Sequence, residues 1–140
     1  MTNIIEKYIE TILKKLEKNN SVIKTFKIGT FFLGVNHKDI DLFILLDDLK
    51  SFEKINLEDI FEIKNIKSKK RNKNINIRFE KFNNLFDILF VDDFSEISYF
   101  LKINSILDSS KLFLESYLLA KEKGEEDKNK FLSTLTCSRN

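Results

Sequence analysis

Residues 28–46 read IGTFFLGVNHKDIDLFILL, and the fold turns on how Asp39 to Leu46 are understood. Below its two aspartates that segment is continuously apolar, the composition of a strand buried on both faces. Successive strand side chains alternate faces, so Asp39 and Asp41 point the same way. Two carboxylates side by side at the mouth of an apolar strand repel each other and are poorly solvated, and a divalent cation is the usual neutralising partner. Just upstream, Val22 to Ile28 is short and β-prone and leads into Gly29-Thr30. A glycine directly after a strand lets the backbone turn sharply and approach a ligand closely. A hydroxyl with free N–H groups at a helix start suits phosphate oxygens. Phe31 to Val35 is a short helix or a turn, with Gly34 as a second flexible point before the aspartates.

Outward from this centre, Ile4, Ile5, Tyr8, Ile9, Ile12, Leu13 and Leu16 form a helical stripe, with Asn19-Asn20 as its stop. Downstream, Asp47-Asp48 ends the strand, and Asn56-Leu57-Glu58-Asp59 reads as a helix start with acidic residues in its first turn. Residues 64–74 (KNIKSKKRNKN) hold six Lys/Arg and one apolar residue, which predicts a loop. Ile75, Ile77 and Phe79 then alternate with Asn76, Arg78 and Glu80 as a half-exposed strand. With a turn at Asn83-Asn84, Leu85 to Val91 (LFDILFV) completes an antiparallel hairpin. Asp87 lies inside that apolar strand, where an aspartate is costly unless paired or metal-bound. If the strand lies beside the first, Asp39, Asp41 and Asp87 converge, and three hard oxygen ligands suit Mg²⁺ or Mn²⁺.

Ser95 predicts an N-cap for a helix from Glu96 to about Asn104. Asp108-Ser109-Ser110 marks a break, and Leu112 to Leu119 fits strand or helix. The charged tail from Lys121 reads as a frayed helix or disorder. The order α–β–turn–β–α–β–β–α predicts an α/β (α+β) domain with a mixed sheet and helices packed on it. Residues 1–120 are expected to form that domain and 121–140 its charged tail.

Composition narrows the function classes. The 140-residue chain is sized for one domain. Its apolar runs reach only about six or seven residues against the roughly 20 that span a bilayer, so no membrane role is expected. Nor does the N-terminus, with Glu6 and Lys7 in a helical pattern, read as a signal peptide. A single cysteine, Cys137, excludes an internal disulfide and a cysteine metal cluster, and a cytoplasmic setting follows as the default. The formal net charge of +2 is small for a general nucleic-acid binder. Abundant Lys, Ile, Asn and Phe, with no Pro or Trp, share A/T-rich codons and reflect genome composition.

The run IGTFFLGVNHKDIDLFILL followed by LFDILFV resembles the DNA polymerase β-type nucleotidyltransferase superfamily, over roughly residues 4 to 118. The spacing is most similar to minimal nucleotidyltransferases, including those of toxin–antitoxin pairs. The resemblance implies a nucleotidyltransferase-like fold and Mg²⁺-dependent transfer of a nucleoside monophosphate from an NTP such as ATP to an acceptor hydroxyl. It implies Gly29 and Thr30 as the phosphate-binding pair, Asp39 and Asp41 as paired metal ligands, and Asp87 as the carboxylate that activates the acceptor; Lys38 is a further candidate for nucleotide binding. Thr30 stands where the family usually has Ser, and Asn36-His37-Lys38 where it often has Arg and Ser. A chain this short leaves the acceptor to a partner, a protein side chain or an RNA 3′ end, or else a homo- or hetero-oligomer builds the site. The alternative is a non-catalytic module of the same fold that binds nucleotide, RNA or protein.

Other signals have plainer explanations. Asp47-Asp48 and Asp92-Asp93 sit where strands end and read as turn residues. The basic segment 64–74 reads as a solvated connection that RNA or triphosphate phosphates would also suit. His37 reads as an exposed loop histidine, and the phenylalanines as core.

Overall fold

The computed structural model describes residues 2–33 and 39–137. Five strands form one mixed sheet in the order β1-β2-β5-β4-β3, built from β1 (Val22–Ile28), β2 (Asp39–Leu46), β3 (Ser68–Lys70), β4 (Asn74–Lys81) and β5 (Asn84–Val91). The β2/β5 pair is parallel, and β1/β2, β4/β5 and β3/β4 are antiparallel. A parallel pair needs a long crossover, which residues 47–83 provide through α2 (Leu57–Phe61), β3 and β4. The α+β fold with a mixed sheet expected from the sequence is therefore the one observed.

Alternation in the strands builds the core. Ile40, Leu42, Ile44 and Leu46 of β2, Phe86, Ile88 and Phe90 of β5, and Ile75, Ile77 and Phe79 of β4 are all buried. They belong to the same apolar cluster as Ile5, Tyr8, Ile9, Ile12, Leu13 and Leu16 of helix α1 (Thr2–Glu17). One face of the sheet is thus closed by the stripe the sequence displays. The opposite face is left to Asp39, Asp41, Asp87, Asn76 and Arg78, none of which is fully buried.

Tyr8 fastens α1 across this core. Its hydroxyl donates to the Phe61 carbonyl, and its ring lies edge-on to Phe86 at 5.3 Å. Burial, aided by the charge of Glu62, pushes the phenol well above its ordinary value near 10. Its contribution to stability is then fully present below pH 10 and lost as pH rises above it. Tyr8→Phe is expected to cost about 1 kcal/mol at neutral pH. The loss of wild-type stability above pH 10 should also be shallower in the variant, as urea denaturation at pH 7 and above pH 10 would read.

Elsewhere the structure corrects local expectations. The basic segment is not all loop: Ser68–Lys70 pairs with Ile75–Ile77 as an edge strand, its lysines leaving the outer edge too charged for further pairing. The β4–β5 turn centres on Phe82-Asn83, both at positive φ (55° and 60°), the signature of a two-residue type I′ turn. Asp48 caps a 3-10 helix over Leu49–Lys54 by accepting from the Lys50 amide, and Asp92 accepts from Leu49, so these aspartates do terminate strands. Ser95 is the first residue of α3 (Ser95–Ser109). The Asp93 carboxylate accepts from Ser95, which holds that carboxyl below its usual range.

Contacts divide the chain into residues 1–97 and 98–140. In the second unit Leu112 to Leu119 is helical, within α4 (Lys111–Lys123), whose N-cap is Ser110. The tail forms α5 (Glu125–Cys137), and Tyr117 of α4 meets Phe131 of α5 at 6.5 Å.

Candidate metal centre

Strand register brings the carboxylates together. Asp41 and Asp87 are direct partners across the parallel β2/β5 pair, and Asp39 lies two residues before Asp41 on the same face. One carboxylate oxygen from each of Asp39, Asp41 and Asp87 lies within 4.8 Å of the others. Three donors on one octahedral Mg²⁺ at 2.0–2.1 Å stand about 2.9 Å apart, or about 4.2 Å where two face each other, so the carboxylates would draw closer together to share one ion. The all-oxygen, three-carboxylate set also matches Mn²⁺. Like charges this close repel one another, and a divalent cation between them would relieve that repulsion.

Gly29 frames one side of the cluster. It follows β1, whose last residue Ile28 is the register partner of Asp41, and it adopts φ +95°. A Cβ built on it would stand 2.8 Å from Asp41 Oδ2. Its conformation therefore demands glycine, and a side chain there would displace the Asp41 carboxylate. After it, Thr30–Leu33 forms a single 3-10 turn, closed by the Phe32 amide donating to the Gly29 carbonyl at 3.2 Å. The Thr30 side chain and Lys38, expected to meet phosphate, lie outside the described residues, as does His37.

On the other side stand two residues that the sequence did not single out. Arg78 is the β4 register partner of Asp87, with Nη2 at 3.1 Å and Nε at 3.2 Å from Asp87 Oδ2. The Asn76 side-chain amide donates to the other carboxylate oxygen and to the Ile88 carbonyl at 3.1 Å. Asp87 is thus oriented by a cation at Oδ2 and an amide at Oδ1, and Oδ1 keeps a lone pair for another ligand. Turn position holds the missing signal. A turn at Asn83-Asn84 would set Glu80 opposite Asp87, whereas Phe82-Asn83 sets Arg78 there, and a one-residue difference in the turn changes the charge of the neighbour.

The sequence matches no protein-family model and no curated protein. Among solved structures its fold is similar to the crystal structure of conserved protein GrpB from Enterococcus faecalis. The TM-score is 0.64 at 15% sequence identity, covering 91% of this chain and 88% of that one. At that identity the likeness speaks for the fold alone, an α+β domain with a mixed sheet as expected. Among the described residues no helix is long and apolar enough to cross a membrane.

Proposed function

We propose that this protein is a divalent-cation-dependent nucleotidyltransferase that moves a nucleoside monophosphate from an NTP to a hydroxyl of a partner protein or RNA. The observation that supports this most is the convergence of Asp39, Asp41 and Asp87 within 4.8 Å beside a glycine that touches Asp41. Asp39 and Asp41 would hold Mg²⁺ or Mn²⁺, with Asp87 as a third ligand. A bound cation of this kind supplies charge neutralisation at the α-phosphate and the leaving group. Gly29 would let the backbone approach the triphosphate, and Thr30 and Lys38 would contact its oxygens. Asp87 would orient the acceptor hydroxyl for attack. The acceptor oxygen bonds to the α-phosphorus, the bond from that phosphorus to the bridging oxygen breaks, pyrophosphate leaves, and the hydroxyl proton passes to solvent.

Arg78 serves in this scheme as a positioning residue. Arg78→Ala is expected to lower turnover about tenfold to a hundredfold, the usual effect of removing a partner that orients a metal-binding carboxylate. Arg78→Lys should recover part of the loss, since it keeps the charge but not the two-pronged geometry. Initial rates at saturating Mg²⁺ measure both.

The direct test is incubation with each α-³²P-labelled NTP and Mg²⁺, alone and with RNA or lysate, beside the Asp39→Ala/Asp41→Ala double variant. Label on a protein or RNA band with wild type only establishes the activity and its acceptor class. A second reading, a non-catalytic binding module, draws on the Arg78 and Asn76 bonds, which satisfy Asp87 without a metal. Absence of label, with NTP binding indifferent to the double substitution, would decide for that module.

A further inference from the structure

The face of the sheet that carries the carboxylates changes sign towards its β3 edge. Arg78 is in register with Asp87, and Asn76 lies two residues earlier on β4. Lys69 of β3 is in register with Asn76 and so shares that face. The Arg71 amide donates to the Asn74 carbonyl at 2.8 Å, one step further along the ladder, and by the same alternation its side chain follows Lys69. Strands lie about 4.8 Å apart, which puts β4 roughly 5 Å and β3 roughly 10 Å from the Asp87 strand.

Salt bridges separate the cations of the segment into two groups. Lys70, in register with Ile75 of the core face, pairs with Glu53, and Lys73 lies 3.7 Å from Glu96. Among the described residues, no carboxylate pairs with Lys67, Lys69 or Arg71, and all of these are exposed. Two of the six cations thus face carboxylates of the 3-10 helix and of α3, while Lys69 and Arg71 stand available on the side of the acidic cluster.

We propose that the β4–β3 face is the docking surface for a single-stranded RNA acceptor, its terminal hydroxyl at Asp87 and its preceding phosphates along Lys69 and Arg71. An acidic centre repels phosphates and tolerates a neutral hydroxyl. A polyanionic strand can therefore present its end there only if cations carry the rest of it away. The gradient from Asp87 through Arg78 to Lys69 and Arg71 has that polarity. A single-stranded end suits such a surface, since proteins recognise RNA chiefly at its unpaired loops and ends. The location of the hydroxyl rests on the nucleotidyltransferase reading, but the docking surface does not, because binding is measurable without metal or NTP.

The experiment is fluorescence anisotropy of a labelled, unstructured RNA of about 12 nucleotides, within the length one small domain covers. It is run in EDTA between about 50 and 200 mM salt with the full chain. Three proteins are compared: wild type, Lys69→Glu/Arg71→Glu, and Lys7→Glu/Lys14→Glu as a charge-matched control on exposed positions of α1. Reversal on β3 is expected to weaken binding at least about tenfold, and the α1 control less than about threefold, because only the first removes phosphate contacts. Lys69→Ala/Arg71→Ala, which also serves if the reversal disturbs folding, should reduce the slope of log affinity against log salt by about 1.4. Equal losses in both reversed variants would overturn the proposal. So would undiminished binding by the β3 variants, or no saturable binding by wild type. Selective loss on β3 without any NTP transfer by wild type would keep the surface and remove the catalytic reading instead.

Discussion

Asp41→Asn is expected to lower nucleotidyl transfer on the order of a thousandfold or more, because a catalytic unit loses its function when one member is removed. Asp41 is the hinge of the cluster: it is the register partner of both Ile28 and Asp87, and its carboxylate lies against Gly29. Asparagine keeps its volume and one acceptor oxygen but removes the charge that attracts a hard cation. Thermal unfolding gives a readout independent of turnover. With Mg²⁺ at ten times its dissociation constant, wild type should gain about 1.4 kcal/mol, roughly 4 °C for a domain of this size. Asp41→Asn should show almost no Mg²⁺-dependent gain while melting cooperatively in EDTA. A variant that still gains the full shift would place the cation elsewhere.

Gly29→Ala is expected to damage stability and activity together. At φ +95° an alanine lies outside the regions open to L-residues, a strain of about 1–3 kcal/mol. Its methyl group would also meet Asp41 Oδ2 at 2.8 Å, so either β1 or the carboxylate must shift. A total loss of roughly 2–4 kcal/mol follows, within the range of severe single substitutions. Because the atom displaced is a candidate metal ligand, the Mg²⁺-dependent gain should fall as well. Urea denaturation with and without Mg²⁺ separates the two effects. Full retention of the Mg²⁺ gain in a destabilised Gly29→Ala protein would show that the close approach is structural alone.

Much of this architecture was legible in the sequence where periodicity and burial point the same way. The α1 stripe, the apolar body of β2 and the alternation of β4 each follow from which residues must leave water. Gly29 was legible because a glycine between a strand and an acidic strand has few purposes. The hairpin register was not, because Phe82 is a poor residue for positive φ and the adjacent asparagines drew the turn one residue too far. That displacement hid Arg78 and Asn76, which look like ordinary solvent-facing positions in a half-exposed strand. The edge strand β3 was hidden for a related reason: an edge strand needs neither alternation nor apolar residues, only a ladder to join. The helices beyond residue 110 have exposed, mixed surfaces, and α4 has no buried residue, so periodicity had little to report. The convergence of Asp87 with Asp41 required knowing that β2 and β5 are parallel neighbours, which no local pattern states.

Titration calorimetry of Mn²⁺ into wild type and Asp41→Asn, each with a non-hydrolysable NTP analogue, tests the central claim most directly. The carboxylate cluster predicts saturable Mn²⁺ binding to wild type and at least about tenfold weaker binding to the variant, the loss expected when one of three ligands is removed. Identical isotherms for the two proteins would show that Asp39, Asp41 and Asp87 do not form the metal centre.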